Sequence, residues 1–313
     1  MKRIVVSIFL ILLGIAIIVI PNFSSYLNTE SFYFDLSKFL LDYPGFTYPL
    51  GVLLIVVGVL YCLFVVISST KNNTAFIIQK ADEDDYGNVD LHYSKRTTFG
   101  REELVYENII TLKQHNESII ELEKKKISRF YKRIPPKKRI AFLAISPMPT
   151  LVYAGFTVAN TGRKISYYHW DRDKAKAIRL KCFGGKAELQ ESESINSDSK
   201  DYVICISTSY EIDNNLVSKQ FSDFNIKYYK AKSVGYNSIK TQNDVNNIAD
   251  SVRKIIANLP SKCYVHLLLA CSSELCFAIG QRLNSPVLPN IKIYNLNKNE
   301  NNELCWDWNI ELV

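Results

Sequence analysis

No P-loop, GxSxG or HExxH motif occurs in the 313 residues, and no two carboxylates stand at a recognisable catalytic spacing. Nucleotide hydrolysis on a glycine-rich cradle, serine acyl transfer and zinc-assisted hydrolysis therefore have no positive support, and the chain is expected not to be an enzyme. The seven cysteines contain no CxxC pair, and one of them, Cys62, falls in an apolar run. An odd, unpatterned set reads as reduced thiols and not as a disulfide framework. The four histidines, His92, His115, His169 and His266, are dispersed. His266 with Cys271 and Cys276 comes nearest to a metal-ligand set. Strand alternation sends His266 and Cys271 to opposite faces, however, and four residues between two cysteines is not diagnostic, so packing is expected there and neither metal nor cofactor is implied.

Charge is also absent from two long stretches. Residues 4–20 form an uncharged apolar run of 17 and residues 50–67 one of 18. At about 1.5 Å per residue each reaches about 26 Å, close to a bilayer core of about 30 Å, with Phe23, Tyr26, Phe46 and Tyr48 as interface residues. Two transmembrane helices are expected. A cleaved signal peptide is the alternative for the first, but its run is longer than such segments have and no A-x-A site follows. Lys2, Arg3, Lys71 and Lys80 flank the pair, whereas the connecting loop holds only Lys38 beside Glu30, Asp35 and Asp42, so both termini are expected in the cytoplasm. Neither run has an ionisable residue at membrane depth, which argues against a charged ion pathway. Ser7 with Gly14, and Gly51 with Gly58, give each helix a small-residue face for association.

Beyond these anchors, residues 71–135 read as linker and charged helix. A short strand is expected near residues 75–78, an acidic cluster stands at 82–85, and apolar residues recur at irregular helical spacing from Arg101 to Tyr131. Residues 124–139 hold nine basic residues in sixteen and no acidic one, interrupted by Pro135-Pro136. Three readings stay open for that run: a solvated helix end complementing the dipole, contact with anionic lipid headgroups, and phosphate binding. The net charge of +7 fits an anionic partner without choosing one.

The last part of the chain is organised around a duplication. Residues 263–297, CYVHLLLACSSELCFAIGQRLNSPVLPNIKIYNLN, follow a paler copy at 139–171, RIAFLAISPMPTLVYAGFTVANTGRKISYYHWD, about 125 residues earlier. Each begins with an apolar run, 140–145 or 265–270, which is the pattern of a strand buried on both faces. A polar break follows, Ser146-Pro147-Met148-Pro149 or Cys271-Ser272-Ser273-Glu274, then an apolar helix, a breaker and a second strand. Two such crossover units make a Rossmann-like α/β domain with a pseudo-twofold. Between them, residues 177–183 read as strand, 186–200 as a polar loop, and 202–206 and 226–229 as strands. Thr208-x-x-Glu211 and Thr241-x-x-Asp244 read as capping boxes that open helices, and 304–313 as a hairpin-like tail.

In crossover units ligands sit beyond the carboxyl ends of the strands, where helix N-termini expose unpaired N–H groups. That rule selects Ser146, Met148, Trp170, Arg172, Ser207, Thr208, Ser209, Lys232, Tyr236, Ser272, Ser273 and Glu274 as candidate ligand-binding residues, and leaves the catalytic and metal sets empty.

The run HLLLACSSELCFAIGQRL followed by IKIYNLN resembles the last segment of the SAVED domain, the sensor of bacterial cyclic-oligonucleotide antiphage defence (CBASS), itself similar to two fused CARF-like units. The likeness covers roughly residues 140–313, and the SAVED-like region is taken as 136–313. The resemblance implies a cyclic tri- or tetranucleotide as ligand, a nucleotide-cyclising synthase as functional partner, ligand-induced homo-oligomers and no polymeric nucleic acid. With the two anchors it implies an effector in the bacterial inner membrane that disrupts the bilayer in abortive infection. A membrane-tethered enzyme acting on cyclic nucleotides and a non-catalytic scaffold are the alternatives.

Overall fold

Short apolar runs and helices alternate along the second part of the chain, and the runs form strands of two sheets. The computed structural model describes residues 11–12, 15, 44–72, 74–80, 100–105, 117–136, 138–171, 176–236, 238–260, 262–298 and 301–312. The chain divides into two compact units, Met1–Asn73 and Thr74–Val313.

In the first unit the helix α1 (Pro44–Asn72) contains the second apolar run. Side chains are described from 49 to 64; Gly51 and Gly58 are buried, whereas Leu53, Leu60 and Phe64 are exposed. Among the described residues no helix is long and apolar enough to cross a membrane. The expected span at 4–20 lies outside the described residues apart from Ile11, Leu12 and Ile15, and Ser7 and Gly14 lie outside them altogether.

The second unit holds two sheets. The first has the order β2-β1-β3-β4-β5, built from β1 (Thr74–Lys80), β2 (Gly100–Val105), β3 (Arg139–Ile145), β4 (Ile165–Asp171) and β5 (Lys176–Arg179). β2, β1, β3 and β4 run parallel, and β5 closes the edge antiparallel. The second has the order β11-β10-β9-β7-β8-β6, from β6 (Leu189–Ile195), β7 (Tyr202–Ser207), β8 (Asn225–Ala231), β9 (Tyr264–Ala270), β10 (Asn290–Lys298) and β11 (Leu304–Leu312). Its four inner strands are parallel, and β6 and β11 are antiparallel edges.

Each duplicated copy is one strand–helix–strand unit, with α3 (Met148–Val158) between β3 and β4 and α6 (Ser273–Leu283) between β9 and β10. Their helices pack on each other. A Cβ at Gly155 would lie 1.9 Å from the Phe277 carbonyl oxygen, and one at Gly280 would lie 1.9 Å from that of Val152. Both positions therefore require glycine, and the reciprocal contact marks the pseudo-twofold axis. Around it one core joins the inner face of the first sheet (Ile140, Phe142) to that of the second (Leu267, Ile293), with Phe277 laid on Phe142 at 3.9 Å between ring centres. The outer face of the second sheet buries Val203, Cys205 and Leu268 against Val217 of α4 (Asn214–Gln220) and Phe221 just after it. Helix α5 (Gln242–Ala257) buries Val245, Ile248, Ala249, Val252 and Ile256, with Ile255 and the following Leu259 only partly buried, and the expected Thr241/Asp244 capping box is complete.

Several readings of the sequence give way here. The stretch from Arg101 to Tyr131, read as helical, begins with β2 of the first sheet, whereas the short strand expected near 75–78 is present as β1. Among the described residues the helix of that stretch is α2 (Glu117–Arg133), and GREELV pairs with β1 instead of coiling. The polar stretch read as a loop at 186–200 contains β6, an edge strand whose polar side chains face outward while its backbone ladders to β8. The expected strand at 177–183 is β5 (Lys176–Arg179), which starts one residue earlier and ends four earlier. Thr208 caps no helix: α4 starts later, and Asp213 accepts from the Asn215 amide at 2.9 Å.

Candidate functional site

The carboxyl ends of β7 and β9 are fastened by the chain that leaves β7. The amides of Thr208 and Ser209 both donate to the Ala270 carbonyl, at 3.0 and 2.8 Å. Ser207 Oγ accepts from the Ile212 amide at 3.1 Å, which curls residues 208–211 into a tight loop over the strand ends. The Thr208 carbonyl in turn accepts from the Gly235 amide at 2.9 Å and the Ser238 hydroxyl at 2.8 Å. The loop following β8 is thereby drawn to the same point.

From that loop Tyr236 reaches the other half of the molecule, donating from its hydroxyl to the Trp170 carbonyl at the end of β4. Its ring meets the His169 ring edge-on, 4.9 Å between centres. His169 Nδ1 pairs with Glu274 Oε1 at 3.1 Å, in the first turn of α6. Glu274 is only 2% exposed. One connected set thus joins the ends of β4, β7 and β9, the start of α6 and the 232–238 loop.

Two buried hydroxyls in this set have no hydrogen-bond partner among the described residues, Thr208 Oγ1 and Ser272 Oγ. Thr208 is wholly buried, and Ser272 follows two residues after the carbonyl that Thr208 holds. Ser272 has the extended backbone of an N-cap, yet its hydroxyl caps nothing. The first bond within α6 runs from the Cys276 amide to the Ser272 carbonyl at 3.0 Å, so the amides before it have no intrahelical acceptor. Unsatisfied donors and hydroxyls at a helix N-terminus are a ready place for ligand oxygens.

The first copy is poorer in donors. At the start of α3, Pro149 has no amide hydrogen, and the Ser146 hydroxyl is taken up with Thr150 Oγ1 at 3.0 Å, which also donates to the Pro147 carbonyl at 2.7 Å. Met148 packs half-buried against the core. The pseudo-twofold therefore relates two backbones whose loop chemistry differs.

Of the residues selected from sequence, Ser207, Thr208, Ser209, Ser272, Ser273 and Glu274 lie together at the ends of β7 and β9. Tyr236 and Trp170 join them through one hydrogen bond. Trp170 contributes its carbonyl; its ring packs with Tyr168 on Ala141 and Leu143, the opposite face of the first sheet. Ser146 and Met148 stand at the end of β3, and no hydrogen bond joins them to this set among the described residues. Lys232 is exposed on the 232–238 loop, and Arg172 lies outside the described residues. His169 was not selected. The signal was alternation along β4, where Ile165 and Tyr167 face the core and His169 continues their side. Gly235 and Ser238 act through bonds to a carbonyl and leave no such signal.

Among the described residues no group of three or more His, Cys, Asp or Glu is placed to hold a metal ion. Behind the site, a hydrogen bond with Cys271 and deep burial push the Cys276 thiol well up, so it stays protonated and a weak nucleophile. His266 lies near the other end of β9, bonded to the Tyr294 hydroxyl at 2.9 Å, and burial lowers its pKa.

Residues 123–310 match the family described as the SMODS-associated and fused to various effectors sensor domain, SAVED. No curated protein matches the chain. Among solved structures, the fold is similar to an Acinetobacter baumannii Cap4 SAVED/CARF-domain containing receptor, with a TM-score of 0.51 at 13% identity over 89% of this chain and 60% of that one. The same receptor with the cyclic trinucleotide 3'3'3'-cAAA gives a TM-score of 0.50 at 13% identity, over 83% of this chain and 59% of that one. The chain thus spans about 60% of the length of these receptors.

Proposed function

The chain belongs to the SAVED family, and from that premise we propose that it is a receptor for a cyclic oligonucleotide, which binds over the carboxyl ends of β4, β7 and β9. The observation that carries the reading is the pair of buried, partnerless hydroxyls, Thr208 and Ser272, beside the uncapped start of α6. These groups suit phosphate oxygens. The Glu274 carboxylate is an acceptor, so it suits a donor on the ligand, an exocyclic amine or a ribose hydroxyl. The similar receptor with a cyclic trinucleotide supports a ring of that size.

The remainder of the proposal concerns the output. The uncharged runs at 4–20 and 50–67 anchor the chain in the bacterial inner membrane with both termini cytoplasmic, and occupancy drives self-association that compromises the bilayer in a CBASS response. What supports anchoring is the lack of charge from 50 to 67 within α1 and the exposed Leu53, Leu60 and Phe64. Ligand must bind the assembled form more tightly than the monomer, since equal affinity shifts nothing. A nucleotide-cyclising synthase is then the functional partner, and catalysis is no part of the proposal.

Thermal denaturation of the full chain in detergent, with a panel of cyclic di-, tri- and tetranucleotides, tests the reading. One ring raises the melting temperature and is recovered intact by chromatography. Recovery of linear or cleaved product would instead assign an enzyme. Release of a trapped dye from vesicles holding the chain, on addition of the same ring, tests the output.

A further inference from the structure

The amino ends of the first sheet carry a set of cations that the ligand site does not use. Lys132 and Arg133 end α2, Arg139 opens β3, and Lys164 precedes β4; all four are exposed. Lys125 and Arg129 continue the same face of α2 at helical spacing, also exposed. The other lysines of this helix are neutralised locally, Lys124 by Glu121 at 2.7 Å and Lys126 by Glu123 at 3.0 Å. None of the six has an ion-pair partner among the described residues.

Complementing the helix dipole is the ordinary use for such residues, but that place is taken. The Arg163 guanidinium donates to the Tyr131 and Ile134 carbonyls, at 3.3 and 2.5 Å, and so covers the end of α2 itself.

The register of the sheet says where these cations lie along the chain. β1 begins at Thr74, directly after the apolar helix ending at Asn72, and Thr74 pairs with Arg139. Ile140 pairs with Ile165, and the Ile140 amide donates to the Lys164 carbonyl at 2.9 Å. The cations therefore border the end of the sheet at which the polypeptide arrives from α1, opposite the carboxyl ends that form the site.

Resting on the anchored reading above, we propose that Lys125, Arg129, Lys132, Arg133, Arg139 and Lys164 form a collar that binds the anionic headgroups of the bilayer. A basic residue near such a surface contributes about 1 kcal/mol, and the attraction falls off within a Debye length of about 8–10 Å. The chain connection keeps Arg139 near the end of α1, since its strand partner Thr74 follows Asn72 by two residues.

Hydrogen–deuterium exchange of the full chain in nanodiscs tests the collar, with discs of phosphatidylcholine alone compared with discs that also contain phosphatidylglycerol. Residues 125–139 exchange about fivefold or more slowly in the anionic discs, and raised salt abolishes the difference. The variant K132Q/R133Q/R139Q/K164Q incorporates into both discs and loses the difference, while its ligand binding is unchanged. Equal exchange in both discs, with the chain incorporated, overturns the collar and leaves the anchor standing. Failure to incorporate into either disc removes the anchor and the collar with it. Protection by a single-stranded oligonucleotide and not by phosphatidylglycerol overturns the lipid assignment in favour of a nucleic-acid surface.

Discussion

Thr208 separates binding from stability more cleanly than any other position in the site. Its hydroxyl is buried without a partner, and an unmet polar group of that kind costs about 1–3 kcal/mol. Thr208→Val removes the hydroxyl at nearly constant shape, so the melting temperature of the free chain is expected to hold or rise, while affinity for the cyclic nucleotide falls roughly tenfold. His169 behaves in the opposite way. His169→Ala strips the buried Glu274 carboxylate of its partner and is expected to cost about 1–3 kcal/mol in urea unfolding, with Glu274→Gln/His169→Ala recovering part of it. His266 gives the fold a pH dependence. Burial holds its folded pKa below the usual 6.5, so the unfolded chain binds more protons. This contribution to stability is fully present above about pH 6.5 and is lost as pH falls below it. Urea midpoints measured across that range decline on acidification, less steeply in His266→Gln.

At the scale of elements, the crossing of α3 and α6 is the joint of the duplication. Gly155→Ala or Gly280→Ala drives a methyl into the partner helix's carbonyl, so the helices must separate, with an expected loss of about 1–3 kcal/mol or more in thermal or urea unfolding. The two crossover units were legible because their strands are apolar on both faces and their helices are bounded by Gly162 and Pro286. β2 and β6 were not. GREELV and LQESESI are polar edge strands held by backbone ladders, so they carry no two-residue apolar alternation to read. Thr208 misled for a related reason: a Thr three residues before a Glu has the form of a capping box, but here the amide and carbonyl of Thr208 tie strand ends together. The candidate site was legible as a set of strand ends. Which side chains enter it was legible only in part: alternation with Ile165 and Tyr167 puts His169 inward, and the packing of Tyr168 and Trp170 on Ala141 and Leu143 puts the Trp170 ring on the other face.

Across the whole Thr74–Val313 unit, chemistry is divided between two ends of the parallel strands. Partnerless hydroxyls, helix N-terminal amides and a buried carboxylate collect at the carboxyl ends; unpaired cations collect at the amino ends, where the chain enters from α1. Under the proposed reading, cyclic nucleotide and lipid headgroups would meet opposite ends of these strands. The two duplicated units differ at their polar breaks, so they are expected to form one composite site per chain and not two equal ones. Equilibrium titration of the full chain with the cyclic nucleotide that raises its melting temperature most is the direct test of the central claim. The account predicts saturable binding of one ring per chain, with Thr208→Val about tenfold weaker and the collar variant indistinguishable from the parent. Saturation failing for every ring in the panel, or Thr208→Val binding as tightly as the parent, would contradict it.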